Sequence, residues 1–144
     1  MTNIRRMLMG ASGDTLLKPY GSIWSWGLNT LGQLGLGDTT NRSSPVQIGS
    51  DTDWHQVVSA YNSTFALKND GTVWAWGRNN EGQLGQGNTT NTSSPVQVGS
   101  RTDWKWIGAN GTALVLSASL SAGKVYITGG NSVGGHGRGN TANT

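Results

Sequence analysis

Few side chains in this sequence have the types and spacing for chemistry. Asp53 and His55 stand two residues apart, so a strand would carry both on one face. A carboxylate beside an imidazole is half of a general-base arrangement, which also needs a nucleophile within reach. Fifty positions later the same places hold Asp103 and Lys105. That exchange of imidazole for ammonium argues against catalysis, and no catalytic residue is assigned. The loop from Gly35 to Asp38, with Thr39 and Thr40, has the glycine and aspartate content of calcium-binding repeats. Calcium takes about six to eight oxygen ligands, several of them carboxylates. Asp38 is followed by Asn88 and then Asn140 at equivalent places, so no metal is expected, and these side chains should bond turn backbone instead. His136 falls where earlier copies have Leu34 and Leu84, and reads as a surface variant. There is no Gly-x-x-x-x-Gly-Lys-[Ser/Thr] loop, and no cofactor is expected.

The aromatic residues point to binding. Trp24, Trp26, Trp74 and Trp76 could stack on sugars, but paired tryptophans at period two are better explained as strand core. Trp106 replaces Gln56 of the earlier copy, which makes it the aromatic expected at the surface. Tryptophan and arginine are favoured at the centres of protein interfaces. Trp106 with Arg101 is therefore one expected contact surface. The N-terminal run Ile4, Arg5, Arg6, Met7, Leu8 and Met9 is the other.

These residues are positioned by a repeat. Gly21 to Trp54 returns as Gly71 to Trp104, with Trp24, Trp26, Gly27, Gln33, Leu34, Gly35, Pro45 and Trp54 matched fifty positions on. The first full repeat is 21–70 and the second is 71–122. Residues 123–144 begin a partial third copy, in which Gly123, Tyr126, Gly129 and Asn131 match Gly71, Trp74, Gly77 and Asn79. Within the first repeat, strands are predicted over Gly21 to Gly27, Pro45 to Ile48, Trp54 to Ser59 and Ser63 to Lys68. Asn69-Asp70-Gly71 is a hairpin turn into the next tryptophan strand. Residues 1–20 form a leader with two readings. Shifted by fifty, Leu17-Lys18 overlies Leu67-Lys68, and Met7 and Leu8 overlie Val57 and Val58, as in half of a preceding repeat. Alternatively the leader is an anchoring peptide that packs on another protein.

Composition agrees with a turn-rich β protein: 23 glycines, seven tryptophans and only 12% charged residues among 144. The net charge of +3 is dispersed, without the basic cluster of a nucleic-acid reader, so no nucleic-acid partner is expected. No cysteine is present, which excludes thiolate chemistry. No apolar run nears the ~20 residues of a membrane-spanning helix, and no membrane partner is expected. The start lacks the ~7–15-residue apolar core of a secretion signal.

Four short strands per ~50 residues, with a glycine and aromatic signature, make the pattern of a β-propeller blade. The repeats resemble those of the regulator of chromosome condensation family, G-x-V-W-x-W-G-x-N-x-x-G-Q-L-G-x-G-D-T-T followed by P-x-x-V. Gly21 to Val46 and Gly71 to Val96 carry the match. The resemblance implies an all-β fold built as a seven-bladed propeller, with members that serve as exchange factors for small GTPases, ubiquitin-ligase modules and photoreceptors. Two departures stand out. Ala60 and Ser63 occupy the places of the family's Gly-x-x-His-[Ser/Thr] element, and seven blades would need about 350 residues. The chain is then a piece of a longer ring, an oligomer that completes a ring between copies, or an open stack capped by partners. The segment from Asn3 to Ala11 is also similar to the first residues of some tailed-phage structural proteins that continue into such repeats.

The expected function is that of a non-enzymatic structural or protein-interaction protein, in its most specific form a phage virion component of capsid or tail, held by its N-terminus. Its partners would be other protein subunits, virion proteins among them, or further copies of itself. Its place would be the virion, or otherwise the cytoplasm. The alternatives are a cellular regulatory adaptor of the exchange-factor or scaffold type, and a sugar-binding module.

Overall fold

A computed structural model of the chain describes residues 7–9, 14–17, 21–110, 113–118 and 125–128, with side chains from 21 to 109. Every regular element among the described residues is a strand. The first sheet runs β1 (Met7–Met9), β2 (Asp14–Leu17), β3 (Ile23–Gly27) and β4 (Arg42–Gln47). The second runs β5 (Trp54–Ala60), β6 (Ser63–Lys68), β7 (Val73–Gly77) and β8 (Thr92–Gln97). The third holds β9 (Trp104–Asn110), β10 (Ala113–Ala118) and β11 (Val125–Thr128). Strands adjacent in the chain are adjacent in each sheet and antiparallel, so each sheet is a meander.

Sheet boundaries do not coincide with sequence repeats. Repeat 21–70 supplies the last two strands of the first sheet and the first two of the second. The two repeats meet inside the second sheet, at the Asn69-Asp70-Gly71 hairpin between β6 and β7. Gly71 sits at φ +82°, where other residues are strained, and its amide donates to Lys68 O at 3.0 Å. The Asp70 carboxylate accepts from the Thr72 amide at 2.9 Å and the Thr72 hydroxyl at 2.7 Å. A sequence repeat that straddles two sheets ties neighbouring blades covalently.

Two strands of the 1–20 leader pair into the first sheet. Leu17 lies opposite Ile23 as Leu67 lies opposite Val73, the fifty-residue shift made visible in strand pairing. Ile4, Arg5 and Arg6 lie outside the described residues, as do 129–144. Pro45 was predicted to start its strand, but β4 begins at Arg42 and Pro45 lies inside it. The sheet tolerates this because β4 is an edge strand and its register with β3 shifts between Ser25 and Gly27.

Alternation along the strands builds a core between sheets. Between the first and second sheets, Ile23 and Ile48 meet Trp54, Val57, Ala66 and Trp76. Between the second and third, Phe65, Leu67, Val73, Leu84 and Val98 meet Trp104 and Ile107. Trp76 is completely buried, whereas Trp24, Trp26 and Trp74 are half-buried. The wedge between blades is therefore filled by Trp76 and Trp54 more than by Trp74.

Candidate functional site

The glycine-rich loop after each tryptophan strand is organised by one buried asparagine. Asn29 is fully buried and uses its whole side chain. Its Nδ2 donates to Asp38 O at 3.0 Å, Asp38 Oδ1 at 3.2 Å and Thr40 O at 3.1 Å. Its Oδ1 accepts from the Leu34 amide at 2.9 Å, and its own amide donates to Asn41 Oδ1 at 2.8 Å. Asn79 repeats this set with Asn88, Thr90, Leu84 and Asn91. Asp38 and Asn88 thus serve the loop. Asp38 also accepts the Thr40 amide and the Arg42 guanidinium, and these bonds hold its carboxyl below the usual carboxylate range. Sequence reasoning had matched Asn79 with Asn131 but gave neither asparagine a role. Their recurrence was the available signal.

Blades are joined by polar clasps as well as by the core. Gln33 O in the first blade's loop accepts from Trp76 Nε1 at 3.0 Å and Thr64 Oγ1 at 2.9 Å. Gly35, at φ +72°, lets that indole approach: a Cβ there would lie 2.7 Å from Trp76 Nε1. At the next joint the Gln56 amide clasps the Ile107 backbone, donating to its carbonyl at 2.7 Å and accepting from its amide at 3.2 Å.

A groove of about 510 Å³ opens between the loops and last strands of the first two blades, lined by Leu36, Arg42, Asp51, Trp54, Trp74 and Pro95 among others. The rings of Trp54 and Trp74 meet edge-on at 6.3 Å. The Lys68 ammonium lies over both, 4.7 and 5.0 Å from the centroids, and pairs with Asp51 at 2.6 Å and Asp53 at 3.3 Å. Burial opposes that charge, but the two aspartates outweigh it and hold the Lys68 pKa above its usual value. In this groove the Trp54 and Trp74 rings thus already hold a cation. Asp53 is engaged with Lys68, and His55 is exposed on β5.

Trp106 is half exposed, at 50%. Its indole lies so close over Gly108 that a Cβ there would run into the ring. Trp104 and Ile107 point into the joint with the second sheet, and Trp106, adjacent to Ile107, points to the other face. Arg101 is engaged elsewhere. It bonds Asp103 at 2.6 and 2.9 Å and lies 5.1 Å from the Trp104 centroid. Arg101 thus lies ahead of β9 beside Asp103 and Trp104, and Trp106 lies on the strand itself. Met7, Leu8 and Met9 form β1. Tyr61, 68% exposed and at φ +50°, is a second surface aromatic that the sequence reading passed over. Its signal was an aromatic beside Asn62 in a turn.

The profile of the regulator of chromosome condensation (RCC1) repeat matches residues 20–67 and 70–111, more than half of the chain. A second profile of the same description matches residues 54–83, beginning where the second sheet begins. No curated protein sequence matches the chain. Among solved structures, human WBSCR16 superposes with a TM-score of 0.75 at 23% identity, over 91% of this chain and 35% of that one. Prp20p from Saccharomyces cerevisiae, a structure reported with its binding properties to Gsp1p and histones, gives 0.83 at 19% identity, over 97% and 36%. Yeast RCC1 (Prp20) bound to Kap60 gives 0.83 at 19%, over 97% and 35%. The chain spans about a third of the length of these proteins, and at such identities the likeness is one of fold.

Proposed function

Because the chain belongs to the regulator of chromosome condensation repeat family, we propose that its propeller repeats hold it in a larger protein assembly, where it acts as a structural subunit without catalysis. The sheets are propeller blades, too few for a complete ring in one chain, and protein binding is the role the repeats support. The observation that carries the reading is Trp106, a large apolar ring left half exposed on the third sheet's outer face. The positions identical between copies, Asn29 and Asn79 among them, are engaged in building the loops, so specificity resides where copies differ.

In its most specific form the assembly is a phage particle, with the leader seated against a neighbouring subunit. Limited proteolysis of the isolated particle tests this. Cleavage within residues 1–13 should be suppressed relative to the free chain. Equal cleavage in both contradicts it.

The yeast neighbour favours a second reading, since Prp20p is reported to bind Gsp1p and histones. Under it the chain is a regulatory adaptor for a small GTPase. Stimulated nucleotide exchange that is lost in Trp106→Ala would support that reading and remove the non-catalytic one. No stimulation would remove the exchange-factor form of it.

A further inference from the structure

We propose that the groove between the first two blades binds a short basic segment of a partner protein, one lysine or arginine pairing with Asp51 and Asp53 and an apolar neighbour packing on Trp74 and Leu36. This rests on the protein-interaction reading above and gives the partner's chemistry. Every residue that lines the groove lies between 35 and 95. Its volume of about 510 Å³ falls within the range of about 300–1,000 Å³ usual for ligand clefts. Leu36, Val46, Trp74 and Pro95 give it an apolar lining beside the charges.

The local charge selects a basic occupant. Asp51 and Asp53 share one ammonium, that of Lys68, so the cluster keeps an uncompensated negative charge. The charges are also layered. The Lys68 side chain is 11% exposed, whereas those of Asp51 and Asp53 are 52% and 47% exposed. Arg42, which lines the groove, and its partner Asp38 repeat the order, the carboxylate being the more exposed. A ligand arriving from solvent therefore meets carboxylates first. The chain as a whole carries +3, so its overall field does not draw a basic segment and the attraction is local. Lys68 shows what the place accepts, an ammonium held jointly by two carboxylates and two indole rings. By pairing with both aspartates it also orders them before a second cation arrives, which lowers the cost of binding.

The second joint lacks these features. Arg101 stands where the first copy has Asp51, and Asn88 and Thr92 stand where it has Asp38 and Arg42. Ala118 lies opposite Trp104 as Lys68 lies opposite Trp54, and the cation over Trp104 comes from Arg101 instead. There one guanidinium meets one carboxylate, that of Asp103, and no negative charge is left over. The acidic excess thus belongs to a single joint, at positions where the copies differ, which is where the reading above puts specificity.

The test is fluorescence anisotropy of the full chain with a labelled heptapeptide of alternating lysine and leucine, against the same peptide with glutamate in place of lysine. The lysine probe should bind, and raising NaCl from about 50 mM to about 500 mM should weaken it several-fold, because exposed charges are screened. Asp51→Asn should weaken binding about tenfold, a loss of about 1.4 kcal/mol. Asp51→Arg, which gives the first joint the residue type of the second, should abolish it. Asp51 is half exposed, so both variants should fold, and circular dichroism checks this. Asp103→Asn should leave binding unchanged. Carbodiimide coupling of the probe's amines, mapped by mass spectrometry, should attach it at Asp51 or Asp53. No binding of the lysine probe at about 1 mM, a weak-affinity limit near −4 kcal/mol, overturns the proposal. So do equal binding of the glutamate probe, unchanged affinity in Asp51→Arg, and coupling confined to other carboxylates. A chain that fails this test but has Trp106 covered in its native assembly keeps the protein-interaction reading and loses the groove. A chain that passes it with Trp106 uncovered keeps the groove.

Discussion

The indole of Trp76 donates to the backbone carbonyl of Gln33 across 3.0 Å, joining residues 43 apart in sequence and in different blades. The indole can approach because Gly35 presents no Cβ to the ring, and the Thr64 hydroxyl donates to the same carbonyl. Trp76→Ala should therefore cost about 3–5 kcal/mol, the usual range for emptying a buried tryptophan site. Trp76→Phe should cost less, since it removes a bond worth about 1 kcal/mol and part of the ring. Urea unfolding measures both. Equal losses in the two would contradict the packing role assigned to the indole.

Gly35→Ala should destabilise by a different route. It adds a Cβ 2.7–3.0 Å from atoms of the Trp76 ring and forces a non-glycine residue to φ +72°. Strain of this kind costs of order 1–3 kcal/mol. Combined with Trp76→Ala, the added cost should shrink, because the ring it strikes is gone. A double-mutant cycle reads that coupling, and strict additivity would count against the contact.

Asn29→Asp should destabilise more than Asn79→Asp. Either change turns two donors toward carbonyl oxygens into a carboxylate. At Asn29 the new charge also faces the Asp38 carboxylate, whereas at Asn79 it faces the neutral Asn88. Denaturation midpoints of the two variants at neutral pH decide it, and the reverse order would refute the loop account.

Three carboxylates set the acid side of the stability curve. Asp70, bonded by the Thr72 hydroxyl and amide, Asp38, bonded by the Thr40 amide and Arg42, and Asp103, bonded by Arg101, all have lowered pKa values. A lowered carboxylate stabilises above its unfolded value and loses that contribution as pH falls through its folded value. Stability should hold from about pH 5 to neutrality and decline below about pH 4. Lys68 is raised, so its contribution is complete below its unfolded value of 10.5 and is lost as pH rises through the higher folded value. Urea midpoints against pH check both limbs, and Asp70→Asn should flatten the acid limb. A midpoint that rises below pH 4 would refute the assignment.

Much of the fold was legible in the sequence because a propeller blade needs fixed residues at fixed intervals. The Asn69-Asp70-Gly71 turn and the alternation of Ile23 with Trp24 fixed strands and faces, and the all-β repeat class followed. The division between sheets was not legible. Repetition shows the period of a pattern but not which strand begins a blade, and only pairing reveals that Trp54 starts the second sheet. The position of Pro45 inside β4 depended on a register shift with no one-dimensional sign. Trp106 stood out as a departure from its copy, but the contacts of Arg101 with Asp103 and Trp104 had no one-dimensional sign.

On the protein-interaction reading proposed above, the half-exposed Trp106 is covered by protein in the working assembly. Hydroxyl-radical footprinting, read by mass spectrometry at Trp106 in dilute free chain and in the native assembly, tests it directly. The indole should be oxidised in the free chain and protected several-fold in the assembly. Equal oxidation in both would contradict the claim.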